Sequence, residues 1–203
     1  MRIAFAGNPN SGKTTMYNAL TGRNEKVGNW AGVPVDRKEA PIKKVYAEGQ
    51  ELIAVDLPGT YSMSPFTSEE GVTNAYIKNE APDVIINIID ASNLSRSLFF
   101  TTQLLELGIP VVIALNKADI NKKKETEINE GLLSERLLCP VVKTVTITNE
   151  GLGELIKCAI DVAGKGQKAP WSDGIINKAD KKEAKEADRR RFDFVNGIVA
   201  EVE

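Results

Sequence analysis

Eight residues close to the N-terminus have the types and spacing of a phosphate-binding loop. Residues 7–14 read G-N-P-N-S-G-K-T, with an apolar run at residues 3–6 before them and helical spacing after them. Two glycines let the backbone bend until successive N–H groups converge on phosphate oxygens, at a helix N-terminus whose dipole favours an anion. A glycine-rich turn before a helix is the plainer alternative, but strand, loop and helix in this order favour phosphate binding.

The side chains of this loop would add a positive charge and a metal ligand. Lys13 would reach the β- and γ-phosphates as a point charge, and the Thr14 hydroxyl would ligate Mg²⁺. The residues expected around the phosphates are Gly7, Asn8, Pro9, Asn10, Ser11, Gly12, Lys13, Thr14 and Thr15.

A second motif, D-L-P-G at residues 56–59, ends a predicted strand. Asp56 would act on Mg²⁺ through a bound water, and the Gly59 amide would lie near the γ-phosphate. The motif is weak by itself, because Asp and Gly are common in turns. It gains weight because its strand is predicted to pair beside the strand of the phosphate-binding loop.

A third motif, N-K-A-D at residues 116–119, would select the base. It follows an apolar run at residues 110–115, and the carboxyl end of a parallel strand is where ligands bind in such sheets. The Asp119 carboxylate can accept from both N1–H and the 2-amino group of guanine, a pairing that adenine cannot offer. Asn116 would support the O6/N7 edge, and the stem of Lys117 would lie across the base. A capped loop before a helix expected near residues 125–138 is the alternative, but the order of the three motifs favours GTP or GDP.

Residues 21–38 show no sustained periodicity and predict a long mobile loop, in the position where a GTPase has switch I. Trp30 in this loop would either cover the nucleotide or anchor the loop through its apolar ring, and both options stay open. The candidates for nucleotide contact in the loop are Gly28, Trp30, Val33 and Pro34.

Residues 60–70 would form switch II, and Ser68 is the expected N-cap of the helix that follows. Glu69 and Glu70 fit the first turn of that helix, where acidic residues complement the dipole. This role is favoured over one in switch control.

Strands alternating with helices predict an α/β fold with a doubly wound, mostly parallel sheet and helices on both faces. The strands are expected at residues 34–43, 51–55, 84–90, 110–115 and 141–145. The last strand leads to Val145 and Thr146, where a backbone amide would touch guanine O6.

The predicted GTP-binding domain spans residues 1–165, and residues 166–203 form a linker and a short helical extension. The charged run at 178–191 is interpreted as a solvated helix face. The apolar stripe after it needs a surface to pack against. The helical pattern is still running at Glu203, so we expect the natural chain to continue.

Composition limits the chemistry that this chain can perform. A hydrophobic content of 42% and a net charge of -2 are ordinary for a globular protein and argue against a general nucleic-acid surface. The absence of histidine removes the commonest catalytic base. Cys139 and Cys158 lack metal-site spacing and are expected to be packed thiols in a reducing cytosol. The sequence has neither a membrane-length apolar run nor the pattern of a signal peptide.

With these residues in view, the chain resembles the cytoplasmic N-terminal GTPase region of the bacterial ferrous iron transport protein B (FeoB) family. The resemblance rests on the three motifs, on the T-Y-S that extends the second motif, and above all on G-N-W-A-G-V at residues 28–33. It covers about residues 1–165. It implies a Ras-like P-loop GTPase that hydrolyses GTP slowly and regulates ferrous iron passage through an attached membrane domain. An Era-type GTPase that binds ribosomal RNA is the alternative, disfavoured by the near-neutral charge.

The resemblance also implies the cofactors GTP or GDP, Mg²⁺ and K⁺. Family members that use a monovalent cation have asparagine at the position of Asn10. Its amide oxygen and the switch I carbonyls near Gly28 and Trp30 would form an oxygen cage for K⁺, which supplies the charge that a glutamine or arginine provides elsewhere. Asn10 therefore joins Lys13 and Gly59 as a catalytic candidate. Its alternative role is only to shape the loop turn.

The implied partner is a membrane-spanning iron-permease domain of the full-length protein, outside this chain. The full-length protein would hold this domain at the cytoplasmic face of the bacterial inner membrane, and the chain alone would be soluble. No nucleic-acid partner is expected, and self-association into a homo-oligomer stays open.

Two features depart from the family pattern. Where the family has G-V-T-V-E, with the threonine ligating Mg²⁺, this chain has Gly32-Val33-Pro34-Val35-Asp36, and proline has no hydroxyl. The C-terminal tail is also shorter than the multi-helix domain that follows the GTPase domain in the family.

Overall fold

The computed structural model describes residues 1–22, 26–30, 35–63, 67–123, 127–171 and 181–203. Val33 and Pro34, two of the predicted switch I contacts, lie outside these ranges. Among the described residues, no helix combines the length and the hydropathy that crossing a bilayer requires.

Seven strands in these ranges form one mixed sheet in the order β2-β3-β4-β1-β5-β6-β7. β1 lies parallel to β4 and β5, and β6 and β7 continue the parallel part. β3 runs antiparallel to both of its neighbours. The predicted doubly wound, mostly parallel sheet is confirmed. The strands are β1 (Arg2–Gly7), β2 (Lys26–Asn29), β3 (Asp36–Pro41), β4 (Ile53–Asp56), β5 (Val84–Asp90), β6 (Val111–Asn116) and β7 (Val141–Thr144).

Helices cover both faces of the sheet and bury two apolar clusters against it, one with α2, α3, α5 and α7 and the other with α1 and α6. The described helices are α1 (Lys13–Leu20), α2 (Ser68–Glu80), α3 (Leu94–Leu105), α4 (Ala118–Lys123), α5 (Glu130–Leu137), α6 (Leu152–Val162) and α7 (Lys181–Val202). The short helix α4 was not predicted, and α5 is shorter than the helix expected near residues 125–138.

Strand β5 lies inside the sheet, between β1 and β6, because its side chains suit burial on both faces. Its sequence is V-I-I-N-I-I-D, and every residue before Asp90 is buried. The one polar residue inside it, Asn87, has partners for both ends of its amide. Asn87 Nδ2 donates to the Ala6 carbonyl at 3.4 Å, and its Oδ1 accepts from the Thr101 hydroxyl at 2.6 Å. A buried amide satisfied in this way costs little stability.

Strand β2 lies inside the segment predicted as a long loop, so that prediction was wrong for residues 26–29. The strand pairs with β3, with Gly28 opposite Arg37 and Asn29 opposite Asp36. It is an edge strand of sequence K-V-G-N, without the buried apolar run that identifies a strand from sequence. Backbone hydrogen bonding to β3, a tertiary partner, specifies it instead.

The N-cap of α2 is Thr67, one residue before the predicted Ser68. The Thr67 hydroxyl accepts from the Glu70 N–H at 3.2 Å, and the Glu70 carboxylate accepts from the Thr67 N–H at 3.2 Å. This reciprocal capping box satisfies two backbone donors at the helix start. Glu70 therefore has the structural role that was favoured for it.

The C-terminal helix α7 packs against α3 and α5. Its apolar stripe, Val195, Ile198 and Val202, joins the same buried cluster as the apolar residues of α3 and α5. The surface that this stripe needs is thus supplied by α3 and α5.

A buried ion pair fastens α7 to α3. The Arg191 guanidinium donates to both carboxylate oxygens of Glu106, at 2.8 and 2.6 Å, and Trp171 Nε1 donates to the same carboxylate at 3.0 Å. The two side chains of the ion pair are only 5% and 11% exposed. Loss of one partner would leave the other charged and buried, which is the costly case for an ion pair.

Replacing Arg191 with methionine should therefore lower the free energy of unfolding by about 3 kcal/mol, the usual cost of removing one partner of a buried pair. Urea unfolding followed by circular dichroism measures the change. Arg190→Met is the matched control, because Arg190 is the next residue on the helix and its ion pair with Glu186 is more than half exposed. That control should change stability by less than about 0.5 kcal/mol. Equal effects of the two substitutions would contradict a structural role for the Arg191 pair.

Candidate functional site

The phosphate-loop motif connects β1 to α1 and leaves the start of α1 without a protein cap. Gly12, the N-cap residue, has φ 94° and makes no side-chain capping hydrogen bond to the first turn. No acidic residue lies in that turn either. The first N–H groups of an α-helix need acceptors from outside the helix, so this end is suited to an anion.

Two glycines of the motif are required by close contacts. A Cβ on Gly12 would lie 2.3 Å from Asn116 Nδ2, and a Cβ on Gly7 would lie 2.6 Å from the Ile88 carbonyl oxygen and 2.8 Å from Ser11 Oγ. Ser11 is 1% exposed, and its hydroxyl has no partner among the described residues. An unpartnered buried hydroxyl in a glycine cradle fits a loop whose missing acceptor is a bound phosphate.

Lys13, the first residue of α1, forms an ion pair with Asp56 at the end of β4. Both side chains are about nine-tenths buried. In this structure the Asp56 carboxylate binds the Lys13 ammonium, which was predicted to contact phosphate. Thr14, the next residue of α1, is exposed, and its hydroxyl and the Asp56 carboxylate are oxygen ligands of the kind that fit Mg²⁺.

A cavity of about 570 Å³ opens over the loop. Gly59 of the second motif and Lys117 of the third motif also line this cavity. All three motifs therefore lie together at the carboxyl ends of the parallel strands, as predicted. The described residues that line it are Asn8, Pro9, Asn10, Gly12, Lys13, Thr14, Thr15, Gly59 and Lys117.

Asn116 ties three segments together at this edge of the sheet. Its Nδ2 donates to the Ser11 carbonyl at 3.0 Å. Its Oδ1 accepts from the Thr146 hydroxyl at 2.8 Å and from the Thr146 N–H at 3.3 Å. The amide is therefore used within the protein, where it positions the phosphate loop and the loop after β7.

Val145 and Thr146 form the pair at which one backbone amide was expected to touch guanine O6, and the N–H groups of both residues already have acceptors. The Val145 N–H donates to the Glu150 carbonyl at 3.2 Å, and the Thr146 N–H donates to Asn116. The next residue, Ile147, has a side chain that is 89% exposed and lies in the same short 3-10 turn. Both of these N–H groups are therefore engaged within the protein, and Ile147 provides the next backbone N–H along the chain.

Lys117 crosses from the third motif to the phosphate loop. Its ammonium donates to the Asn10 carbonyl at 2.9 Å and to the Asp90 carboxylate at 2.6 Å. Asp119, two residues later, lies half-buried in the first turn of α4 and makes no hydrogen bond or ion pair within the part of the chain that is described. Its carboxylate is therefore available to a ligand.

Asp90 was missed as a site residue. It is the last residue of β5, which ends at the same edge as the three motifs, and a carboxylate in that position was the signal that could have identified it. Burial acts to raise the pKa of Asp90, but hydrogen bonds from Lys117 and Ser92 outweigh it and hold the pKa below the usual aspartate range.

Gly59 lies tightly against the phosphate loop, since a Cβ there would be 3.3 Å from Cα of Pro9. Thr60 follows it and is 2% exposed, with its N–H donating to the Gly7 carbonyl at 3.1 Å. The Thr60 hydroxyl is buried and has no partner among the described residues. A side chain held in this way is not placed to orient a water molecule in the cavity.

Trp30 anchors the β2–β3 hairpin on α2. Its ring meets the Tyr76 ring edge to face at 5.3 Å between centroids, and the Arg37 guanidinium lies 4.6 Å from its centroid. The residue is 6% exposed. Of the two roles left open for Trp30, the structure favours the apolar anchor.

The residues expected to form a K⁺ cage are only partly together. Asn10 lines the cavity in a left-handed conformation, with φ 65°. Gly28 and Trp30 are not among the described residues that line it. A cage that includes their carbonyls would therefore need the β2–β3 hairpin to approach the phosphate loop.

Comparison with known proteins places this site in a family. The family model described as "Ferrous iron transport protein B" matches residues 1–159. The Fe(2+) transporter FeoB of Salmonella typhimurium is 47% identical over 165 residues, which are 79% of this chain and 21% of that protein. The chain thus spans about a fifth of the length of such curated relatives.

Solved structures agree with the sequence matches. A mutant of S. thermophilus NFeoB bound to GDP has a TM-score of 0.85 at 31% identity, covering 100% of this chain and 99% of that one. The cytosolic domain of T. maritima FeoB in its GMPPNP form has a TM-score of 0.87 at 26% identity, covering 100% and 98%. These matches favour the FeoB family over the Era-type GTPases that were the alternative from the sequence. The chain belongs to the ferrous iron transport protein B family.

Proposed function

We propose that this chain is a GTP-binding and slowly GTP-hydrolysing domain, and that its nucleotide cycle regulates ferrous iron passage through a membrane domain of the full-length protein. The observation that carries the proposal is the uncapped, glycine-lined start of α1, which shares one cavity with Lys117 of the guanine motif. The relatives solved with GDP and GMPPNP support it.

Phosphate binding would change the partners of Lys13. Its ammonium is now paired with Asp56, and a triphosphate in the cavity offers a stronger anion at the same place. The N–H groups at the start of α1 and the Ser11 hydroxyl would complete the cradle. Asp56, once released, would be free to hold a water on Mg²⁺, with Thr14 as the direct ligand.

Guanine recognition would rest on Asp119, whose carboxylate is available to accept from N1–H and the 2-amino group. Lys117 would cover one face of the base, and the backbone N–H of Ile147 would take the O6 contact that was first assigned to Val145 and Thr146. Asn116 would act by holding these parts in position.

Hydrolysis requires attack of water on the γ-phosphorus and departure of the β,γ-bridging oxygen with its electron pair. Lys13 and the Gly59 N–H would stabilise negative charge on the phosphate oxygens. Because Thr60 is buried, the position after Gly59 supplies no side chain to orient the water. Slow turnover follows, unless a cation such as K⁺, held by Asn10, adds positive charge at the bridging oxygen.

Regulation of iron passage is the part of the proposal that rests on the family alone. The curated relatives are Fe(2+) transporters, and the matched part of this chain covers about a fifth of their length. In the full-length protein, this domain would lie at the cytoplasmic face of the bacterial inner membrane, beside the iron-permease domain as its partner.

Nucleotide selectivity of Asp119→Asn tests the proposal. The carboxylate makes two charge-assisted hydrogen bonds to guanine, each contributing about 1.5–3 kcal/mol, so GDP affinity should fall by about 100-fold or more. Affinity for xanthosine diphosphate should rise, because its 2-oxo group accepts from the new amide. Titration with fluorescent nucleotides measures both. A variant that keeps wild-type GDP affinity would overturn the assignment, while a gain for xanthine excludes misfolding as the cause of the loss.

Potassium stimulation of hydrolysis tests the role of Asn10. Turnover in potassium chloride should exceed that in sodium chloride at equal ionic strength by at least about tenfold, since one group that stabilises transition-state charge is worth that much or more. Asn10→Gly should abolish the difference, because glycine accepts the left-handed conformation of this residue but has no amide oxygen.

Asn18→Ala, on the exposed face of α1, is the control and should keep the response to potassium. If Asn10→Gly also kept it, Asn10 would only shape the loop. Equal wild-type rates in the two salts would remove K⁺ from the proposal.

A further inference from the structure

The Asp90 carboxylate is held on both oxygens. Oδ2 accepts from the Lys117 ammonium at 2.6 Å, and Oδ1 accepts from the Ser92 N–H at 2.9 Å and the Ser92 hydroxyl at 2.6 Å. The Ser92 contacts cap a short 3-10 turn directly after β5. These bonds fix the orientation of the Asp90 carboxylate, so the Lys117 ammonium can bind it in one position only.

Lys117 carries this constraint to the phosphate loop. The ammonium that Asp90 holds also donates to the Asn10 carbonyl at 2.9 Å. Lys117 and Asn10 both have left-handed backbone conformations, with φ 61° and 65°, so the contact joins two tightly specified turns. Asp90, Lys117 and Asn10 thus form a bridge from β5 through the base motif to the phosphates.

The pair is better protected than an ordinary surface ion pair. The side chains of Lys117 and Asp90 are 33% and 19% exposed, whereas those of the surface pair Arg136 and Glu201 are 50% and 44% exposed. Partial burial weakens screening by water and salt, so the pair restrains the lysine more firmly than an exposed partner would.

We propose that Asp90 is a positioning residue for guanine nucleotide binding, which holds the Lys117 ammonium on the Asn10 carbonyl so that the base motif and the phosphate loop form one rigid frame. This inference rests on the proposed function, because it concerns the same nucleotide. Asp90 acts through Lys117 and touches no part of the ligand.

Preorganisation is the physical reason for the effect. Immobilising a side chain with many rotamers on binding weakens affinity by about 2- to 10-fold. In this chain the Lys117 stem is already ordered by Asp90 before a nucleotide arrives. Without the carboxylate, the lysine would have to be ordered during binding, and the complex would lose its nucleotide faster.

The experiment measures release of N-methylanthraniloyl-GDP by stopped flow from the whole chain. Asp90→Asn keeps the shape of the side chain and still caps the 3-10 turn, because asparagine is a good capping residue. Release should become about 3- to 10-fold faster, within the range of coupling energies between contacting residues. Asp83→Asn is the matched control. Asp83 precedes the same strand at the opposite edge of the sheet, where its carboxylate accepts from the Arg2 N–H at 2.6 Å, and release should not change.

A double-mutant cycle with Lys117→Ala separates positioning from general damage. If Asp90 acts through Lys117, adding Asp90→Asn to Lys117→Ala should change release by less than about 1.5-fold. Full additivity, or an unchanged rate in Asp90→Asn alone, would overturn the inference. Asp90→Ser, which also caps, replaces Asp90→Asn if that variant does not fold. Failure of the wild-type chain to bind the probe at all would instead count against the proposed function.

Discussion

The close approach of Gly12 to Asn116 is the contact on which the site depends. These residues follow β1 and end β6, two strands separated in the sheet by β5 alone. A side chain at position 12 would collide with the Asn116 amide, and the same amide donates to the neighbouring Ser11 carbonyl. Glycine at this position therefore serves two purposes. It allows the left-handed turn that starts α1, and it lets the phosphate loop lie directly on the base motif.

The parts of this protein that could be predicted from sequence are those specified locally. Buried strands such as β5 have continuous β-branched runs in their sequence, and the phosphate loop has its glycines at fixed spacing. These two patterns were enough to predict the fold and the position of the three motifs at one edge of the sheet. The N-cap of α2 was predicted one residue too late, because Thr67 and Ser68 are both good caps and only the position of Glu70 decides between them.

The parts that were missed depend on a partner outside their own element. Strand β2 is held by β3, and the packing of the predicted C-terminal helix α7 depends on Glu106 at the C-terminal end of α3, 85 residues from Arg191. Asp90 has its role only because Lys117 reaches it across the sheet edge, and the amides of Val145 and Thr146 are occupied only because the loop after β7 folds back. Such pairings have no local pattern, so hydrophobic periodicity and short motifs cannot reveal them.

The two tryptophans of the sequence occupy separate places in this architecture. Trp30 lies between Tyr76 and Arg37 on the switch I hairpin, while Trp171 donates its indole N–H to Glu106 where α7 meets α3. The protein therefore carries two intrinsic fluorophores in different electrostatic surroundings. Replacing Trp171 with phenylalanine would leave an emission signal that comes from the hairpin alone, and the nucleotide cycle could be followed optically without attaching a dye.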